Sequence, residues 1–153
     1  MKNKFKIIFA GSAGGHITEL FAILNKEVIG DSEVIVLTEE TERTKSFKGE
    51  NYFFKPMGYN PFRYIPALFR CLYIFRKEKI NLVITNGAEI GLPSVIAAKI
   101  LRIPTIFIDI SAAASVPHLA GKLCYPFSDY FLIQYPDMKK HYGKRAKYVG
   151  GII

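Results

Sequence analysis

The stretch IIFAGSAGGHITEL, residues 7–20, decides the fold of this chain. It begins with an apolar run of the kind that forms a buried strand, and that run ends at Gly11. A loop of small residues with Gly14 and Gly15 follows, and His16 stands where a helical pattern begins. Because a strand passes through a short glycine loop into a helix, the stretch predicts the opening unit of an α/β domain.

The remainder of the chain repeats this alternation. Further strands are predicted at residues 33–38, 52–56, 81–87, 104–110, 130–136 and 146–151, and helices at 16–28, 61–80, 89–103, 116–126 and 137–143. The predicted strands are almost continuously apolar, which is typical of strands covered on both faces. The pattern therefore predicts an α/β fold, a doubly wound parallel sheet with helices on both faces, in a single domain over residues 1–153. Residues 38–51 are polar and predict an exposed loop.

Composition limits the classes of function. Hydrophobic residues make up 50% of the 153 residues and charged residues 22%, so the chain can build a core. A formal charge of +8 attracts anionic partners such as nucleic acid, phosphorylated ligands or acidic lipid headgroups. No stretch resembles a nucleic-acid-binding module, so we do not expect nucleic acid as a partner.

The two cysteines and the glycine loop bear on compartment and cofactors. Cys71 and Cys124 lie far apart in apolar surroundings, which predicts reduced core thiols in a cytoplasmic protein. Neither has a partner at metal-ligand spacing, and the glycine loop is neither a dinucleotide-binding GxGxxG nor a P-loop. We therefore expect no metal and no cofactor. No apolar window reaches the roughly 20 residues of a membrane-spanning helix, so neither export nor a transmembrane anchor is expected.

Ligands of doubly wound sheets bind beyond the carboxyl ends of the strands, so the strand-to-helix loops are the places to search. Loops 11–16, 85–91, 109–118 and 134–137 are predicted to open on this edge. In the first, Gly14 and Gly15 permit positive φ and close approach of a ligand, and the helix-start amides favour an anion. A neutral His16 would take a proton from a hydroxyl near pH 7. The alternative is a tight turn with a capping histidine.

Two later loops carry further polar candidates. Asn86 and Gly87 end one predicted strand and Asp109 ends the next. A carboxylate at that place can accept hydrogen bonds from the hydroxyls of a sugar or from a neighbouring amide. The alternative for Asp109 is an ordinary role in ordering its loop or capping the next helix.

The predicted helix at 61–80 carries a basic line made of Arg63, Arg70 and Lys77, which recur every seven residues. Aromatic and aliphatic residues cover much of the rest of this helix. A basic line beside an apolar face suits a membrane interface with anionic lipid. The alternative is a core helix whose basic side chains extend to solvent.

Three segments together carry a family resemblance: FAGSAGGHITEL, TNGAEIGLPSVIAAK and IFIDISAAASVPHLAGKLCYPFSDYFLIQYPDMKKHYGKRAKYVGG. They resemble the acceptor-side subunit of the split UDP-N-acetylglucosaminyltransferase of lipid-linked oligosaccharide assembly, and its bacterial relatives in capsule and exopolysaccharide synthesis. The resemblance implies the N-terminal, Rossmann-like half of a GT-B glycosyltransferase, an enzyme of two such domains. It further implies a UDP-sugar donor bound by a separate chain, a polyprenyl-pyrophosphate-linked saccharide as acceptor, and a peripheral place on the inner face of the cell membrane.

The resemblance also implies roles for residues where the motifs align. His16, in the glycine–histidine loop, is the candidate general base. Asp109 matches an acidic position of the family and is the second catalytic candidate. Gly121 and Lys122 match a TGK motif and are candidate substrate-binding residues together with Gly14, Gly15, Asn86 and Gly87, although Ala120 replaces the threonine.

One departure from the family and the length of the chain complete the expectations. The family commonly has an arginine where this chain has Ala113, so a different cation or a different handling of the substrate is expected. A complete GT-B enzyme needs a second α/β domain, for which 153 residues leave no room, so a donor-binding partner chain is expected. Two alternatives stay open: a non-catalytic scaffold that stimulates its partner, and a stand-alone nucleotide-sugar-binding protein.

Overall fold

The strands form one seven-stranded parallel sheet. A computed structural model describes residues 4–23, 29–110 and 116–151. The strand order is β3-β2-β1-β4-β5-β6-β7. The strands are β1 (Lys6–Ala10), β2 (Glu33–Glu39), β3 (Glu50–Phe54), β4 (Leu82–Thr85), β5 (Thr105–Ile108), β6 (Tyr130–Ile133) and β7 (Ala146–Tyr148). The predicted doubly wound parallel sheet is therefore confirmed.

Helices follow most of the strands in chain order. They are α1 (Gly15–Ile23), α2 (Glu42–Lys45), α3 (Tyr64–Glu78), α4 (Ala88–Leu101), α5 (Leu119–Cys124) and α6 (Lys139–Tyr142). Short 3₁₀ turns at Pro61–Arg63 and Pro136–Met138 lead into α3 and α6. Positions 24–28 of the first predicted helix lie outside the described residues.

The expectation of an exposed loop over residues 38–51 is wrong in part, because β2 extends to Glu39, β3 begins at Glu50 and α2 lies between them. Thr41 caps this helix: its side chain accepts from the Thr44 amide at 3.1 Å, and its own amide donates to Thr44 Oγ1 at 2.8 Å. This reciprocal arrangement uses a threonine where a glutamate or glutamine is more usual, which is why the polar sequence gave little sign of it.

Both faces of the sheet are covered by helices. Ile8 and Ala10 of β1 pack in a cluster with residues of α3 and α4, whereas Ile7 and Phe9 pack with residues of α1 on the other face. A third cluster joins the far strands to α4, α5 and α6, and in it Phe107 stacks on Phe131 with 4.5 Å between ring centroids. Because successive residues face opposite buried layers, the strands read as continuous apolar runs.

The strand order changes direction at β1: β2 and β3 lie on one side of it, and β4 to β7 lie on the other. This strand pairs with β2 on one side and with β4 on the other. Such a reversal separates the loops that follow the two strands and leaves a crevice at their carboxyl ends. The loops after β1, β4 and β5 therefore border one crevice, and these loops carry the candidate residues.

The cysteines occupy the places that the sequence predicted. Cys71 on α3 and Cys124 on α5 are free and fully buried thiols. Burial raises the pKa of each thiol to about 12, so both are protonated and unreactive near neutral pH. In the described part of the chain, every helix is too short or too polar to cross a membrane.

Candidate active site

A cavity of about 220 Å³ lies at the carboxyl ends of β1, β4 and β5. Its polar lining is His16, Asn86, Asp109 and His118, and Gly121 forms part of the wall. These residues come from three of the four loops that were predicted to share an edge, and from the start of α5. The structure therefore brings the two catalytic candidates together. His118, the last residue of the predicted loop 109–118, joins them although it was not among the candidate site residues.

The fourth predicted loop, residues 134–137, contacts the backbone of Asp109. Gln134, just after β6, donates from Nε2 to the backbone carbonyl oxygen of Asp109 at 2.8 Å. The Asp109 amide in turn donates to the carbonyl oxygen of Leu132 at 2.8 Å. The backbone at Asp109 is thus fixed on both sides by the neighbouring strand.

The glycine loop is fastened to the end of β2. Ser12 Oγ donates to Glu39 Oε1 at 2.9 Å, and the Ala13 amide donates to the other oxygen of the same carboxylate. Glu39 therefore takes one of the loop amides that could otherwise meet an anion. Sequence reasoning missed this residue, although its place at the end of a predicted strand was a usable signal.

The glycines of this loop differ in the reason for which they are needed. Neither Gly14 nor Gly15 has positive φ, so the positive φ that glycine permits is not used at either residue. A Cβ placed at either residue would meet no atom within 4 Å. A Cβ at Gly11, in contrast, would lie 2.9 Å from Asn86 Oδ1 and from Leu20 Cδ1. Packing therefore requires Gly11, whereas Gly14 and Gly15 leave open space for close approach at the start of α1.

His16 lies in the first turn of α1 and is partly buried. Burial lowers its pKa below the usual 6.5, the neighbouring His118 lowers it further, and the carboxylates of Glu19 and Glu39 act in the opposite direction. The imidazole is therefore neutral near pH 7. A neutral imidazole is the form that can accept a proton from a hydroxyl.

Asn86 and Gly87 set the geometry around this histidine. Asn86 is 3% exposed, and its Nδ2 donates to the His16 carbonyl oxygen at 2.7 Å, which braces α1 against the end of β4. Gly87 has φ 94°, a backbone angle that residues with a side chain rarely adopt. A Cβ at Gly87 would lie 3.2 Å from Ala120 Cβ. Gly87 therefore serves the turn into α4 and does not line the cavity.

Asp109 is a buried carboxylic acid, with 2% of its surface exposed. Burial raises its pKa to about 6, against the opposing effects of the Ile110 amide and the Tyr142 hydroxyl. Tyr142 Oη lies 3.5 Å from Asp109 Oδ1, at the long limit of a hydrogen bond. Among the described residues, Asp109 Oδ2 has no hydrogen-bond partner. This oxygen can therefore accept a hydrogen bond from a ligand.

The GK pair separates into two environments. Gly121 is buried and lies against Tyr142. A Cβ at residue 121 would lie 2.2 Å from the tyrosine hydroxyl oxygen. Lys122 is exposed on α5 and is not among the residues that line the cavity. Its role in substrate binding stays a prediction. Ala113 falls in residues 111–115, outside the described part of the chain.

The basic line of Arg63, Arg70 and Lys77 is divided between two environments. Arg63 and Arg70 border a second and larger cavity of about 690 Å³, whose walls are mostly apolar. Arg63 donates to the Pro56 carbonyl oxygen at 3.3 Å, and the Arg70 guanidinium lies 4.6 Å from the centre of the Phe54 ring. Both side chains are largely exposed.

Lys77, seven residues after Arg70, is exposed but is held by contacts within the protein. Its Nζ donates to the Tyr52 hydroxyl at 2.9 Å and pairs with Glu78 Oε1 at 3.2 Å. Lys6 holds the other oxygen of Glu78 at 3.0 Å. Burial acts to raise the pKa of Glu78, but the hydrogen bond from the Tyr52 hydroxyl and the contacts with Lys6 and Lys77 lower it to about 2. Lys77 therefore belongs to an ion-pair network that joins α3 to β3 and β1.

An exposed apolar stripe runs along the solvent face of the same region. Phe62, Ile65, Phe69 and Tyr73 follow one another at helical spacing, and each exposes more than half of its surface. Aromatic and aliphatic side chains at these positions therefore keep most of their contact with water. The stripe and the exposed arginines Arg63 and Arg70 form one amphipathic surface.

Comparison with known proteins places the chain in a family. The family model described as "Oligosaccharide biosynthesis protein Alg14 like" matches residues 52–152. The chain therefore belongs to the Alg14-like family of oligosaccharide biosynthesis proteins. That much of the resemblance noted in the sequence is confirmed.

Similarity extends to a class of longer transferases. The UDP-N-acetylglucosamine--N-acetylmuramyl-(pentapeptide) pyrophosphoryl-undecaprenol N-acetylglucosamine transferase of Clostridium novyi is 29% identical over 91% of this chain. The enzyme of the same name from Clostridium kluyveri is 30% identical over 88% of this chain. This chain spans 42% and 41% of the length of those two proteins, respectively.

Solved structures agree on the fold. MurG of Acinetobacter baumannii superposes with a TM-score of 0.77 at 17% identity, over 97% of this chain and 46% of that one. UDP-N-acetylglucosamine 2-epimerase from Rickettsia bellii superposes with a TM-score of 0.76 at 13% identity, over 98% of this chain and 46% of that one. The fold of this chain is thus the Rossmann-like fold found in about half of each of these proteins.

Proposed function

We propose that this chain is the acceptor-side domain, over residues 1–153, of a UDP-sugar-dependent GT-B glycosyltransferase that acts on a polyprenyl-pyrophosphate-linked saccharide. The observation that carries the proposal is the convergence of His16 and Asp109 on one cavity at the carboxyl edge of the sheet, in a chain of the Alg14-like family. The names of the related transferases supply the donor and lipid classes. The capsule or exopolysaccharide setting rests on the resemblance alone.

The proposed chemistry is a single displacement at the anomeric carbon of the donor sugar. A hydroxyl of the acceptor forms the new bond to that carbon while the bond from carbon to the UDP oxygen breaks, and UDP leaves. The neutral imidazole of His16 takes the hydroxyl proton. Asp109, through Oδ2, accepts a hydrogen bond from the acceptor and holds it beside His16.

The donor requires a second domain in this proposal. In the family that the sequence resembles, a separate chain binds the nucleotide-sugar, and we propose the same arrangement here. The crevice at the carboxyl edge then faces the partner, so the acceptor hydroxyl and the anomeric carbon meet between the two chains. The isolated chain would bind acceptor but would not transfer sugar.

The membrane contact is proposed for the surface around α3, on the inner face of the cell membrane. The apolar stripe would enter the interface, and Arg63 and Arg70 would lie among anionic headgroups beside the larger cavity. Lys77 contributes less to this surface, since it is already paired with Glu78. This arrangement would bring the lipid end of the acceptor close to the domain that binds it.

The test is reconstitution. The purified chain is mixed with a UDP-sugar and a polyprenyl-pyrophosphate saccharide, with and without a candidate donor-binding partner chain. Transfer only in the presence of both chains supports the proposal. Transfer by this chain alone contradicts the split arrangement. Tight binding of a UDP-sugar by this chain alone would favour the nucleotide-sugar-binding alternative.

A further inference from the structure

The side chain of Tyr142 is placed by packing and points at Asp109. It is 6% exposed, and its ring lies 4.5 Å from the Phe131 centroid and 5.8 Å from that of Tyr125. Its hydroxyl oxygen lies 3.5 Å from Asp109 Oδ1. The two residues are 33 positions apart in the sequence, so the contact depends on the docking of α6 against the sheet.

The hydroxyl reaches this position only because residue 121 is a glycine. A Cβ at Gly121 would lie 2.2 Å from the Tyr142 hydroxyl oxygen and 3.1 Å from the ring carbon that carries it. The first distance is far below any contact that a carbon atom tolerates, whereas a small adjustment relieves the second. The Tyr142 hydroxyl therefore fills the space that a side chain at residue 121 would occupy.

We propose that Tyr142 is a positioning residue for the Asp109 carboxyl group, and that Gly121 is required because it admits the Tyr142 hydroxyl. The hydroxyl holds Oδ1, and Oδ2 is left as the oxygen that accepts from a ligand. The use of Oδ2 by a sugar hydroxyl rests on the proposed function. The positioning of the carboxyl group by Tyr142 does not.

The electrostatics of the neighbourhood agree with a hydroxyl that donates. Burial and the nearby Asp109 raise the pKa of Tyr142 above its usual 10, so the phenol stays protonated. The donated hydrogen bond lowers the pKa of Asp109, while burial and the Glu19 carboxylate raise it. Among the described residues, His16 and His118 are the other titratable groups that line the same cavity as Asp109.

The first test measures the ionisation of Asp109 itself. The full chain is labelled with ¹³C at its aspartate carboxyl carbons, the Asp109 signal is assigned with Asp109→Asn, and the titration midpoint is followed by NMR. Tyr142→Phe is expected to make Asp109 an acid about two- to tenfold weaker. Tyr125→Phe, which removes a hydroxyl from the same aromatic cluster, is expected to leave the midpoint unchanged. An unchanged midpoint in folded Tyr142→Phe would overturn the proposal.

The second test measures steric coupling and does not depend on titration. Gly121→Ala is made in the natural chain and in Tyr142→Phe, and the unfolding equilibrium is measured for all four proteins. The factor by which Gly121→Ala lowers the folded-to-unfolded ratio is expected to be at least about tenfold smaller in Tyr142→Phe, which lacks the hydroxyl, than in the natural chain. Equal effects in the two backgrounds would show that Gly121 does not serve the hydroxyl.

These tests are separate from the test of the transferase. Neither uses a sugar donor or a partner chain, so a negative result would remove the role of Tyr142 and leave the transfer reaction standing. Conversely, absence of transfer in the reconstituted system would leave both measurements valid as statements about Asp109.

Discussion

Asn86 Nδ2 donates a hydrogen bond of 2.7 Å to the backbone carbonyl oxygen of His16. The bond crosses from the end of β4 to the first turn of α1, two segments that are 70 positions apart in the sequence. It fixes the helix that carries the imidazole relative to the strands that carry the rest of the cavity. The candidate base is therefore placed by the tertiary fold and not by its own loop alone.

Asn86→Ala should therefore disturb His16 as well as the stability of the fold. The His16 carbonyl oxygen keeps its bond within α1, so loss of the bond from Asn86 should cost about 0.5–1.5 kcal/mol of unfolding free energy. Chemical denaturation measures this cost, and NMR of the imidazole reports the displacement of His16. Asn81→Ala is the matched control, because Asn81 accepts a hydrogen bond from the Lys6 amide at the opposite edge. Asn81→Ala should leave the His16 resonances unchanged, and equal effects of the two variants on them would contradict the brace.

Substitutions in the glycine loop should separate packing from ligand access. Gly11→Ala should destabilise the chain by about 1–3 kcal/mol, because its Cβ would press on Asn86 and Leu20. Gly14→Ala and Gly15→Ala should change the unfolding free energy by no more than about 0.5 kcal/mol, since their Cβ atoms meet open space. Thermal and urea unfolding of the three variants measure this order. A Gly15→Ala variant as unstable as Gly11→Ala would contradict it.

Larger side chains at Gly14 and Gly15 should act on the ligand instead. Gly15→Val would project into the space at the start of α1 without a positive-φ penalty. We expect weaker binding of the lipid-linked acceptor with near-normal stability. Acceptor binding to the folded variant, measured in detergent micelles, decides the point. Unchanged affinity would show that no ligand approaches this loop.

The pH dependence of stability should show the sign of the Asp109 shift. Its pKa is about 6 in the folded chain against 3.8 ordinarily, so folding favours the protonated form. This stabilising effect is complete below about pH 4 and is lost as the pH rises through 6. Relative to Asp109→Asn, the natural chain should lose about 1–3 kcal/mol of unfolding free energy between pH 4 and pH 7.

Asp129 supplies a control of opposite sign. Although burial acts to raise its pKa, hydrogen bonds from Thr105 and Lys99 lower it. Relative to Asp129→Asn, the natural chain should therefore become more stable as the pH rises through the acid range, because the ionised form is favoured by folding. Denaturation curves at a series of pH values measure both variants. A flat difference for Asp109→Asn would contradict the buried, weakly acidic carboxyl.

Membrane binding should depend on part of the basic line only. Arg63→Glu with Arg70→Glu should abolish sedimentation with anionic vesicles, and salt should release the natural chain, because exposed charges are screened. Lys77→Glu should mainly reduce stability, since it places a negative charge beside Glu78. Arg102→Glu with Lys144→Glu, two exposed positions at the amino edge, gives the same change in net charge as a control. Equal loss of binding in the control pair would return α3 to the role of a core helix.

The fold was predictable because its signals are local. Continuous apolar runs bounded by glycine and polar loops follow directly from strands that are covered on both faces, as Ile7 and Ile8 illustrate. The edge at which the candidate residues gather follows from the parallel topology. Residues of the loops that follow the strands, such as Asp109, and of the helix starts beyond them, such as His16, could therefore be proposed from the sequence.

The support of the site was not predictable for the opposite reason. Tyr142 and Gln134 act on Asp109 across 33 and 25 positions, and nothing in the local pattern of α6 or β6 indicates the contact. The positive φ that glycine permits is not used at Gly14, because glycine is compatible with more than one backbone conformation and the local sequence does not fix which one the loop adopts. Docking distances between elements decide such contacts.

The central claim is that His16 moves a proton during glycosyl transfer, and His16→Ala in the reconstituted two-chain enzyme tests it most directly. Turnover is measured at saturating donor and acceptor, with assembly of the two chains checked in parallel and with His141→Ala, an exposed histidine of α6, as control. We predict that His16→Ala lowers turnover by about 10²–10⁴-fold with assembly intact, and that His141→Ala leaves it unchanged. A near-normal rate for His16→Ala would contradict the account and would favour a scaffold that only stimulates its partner.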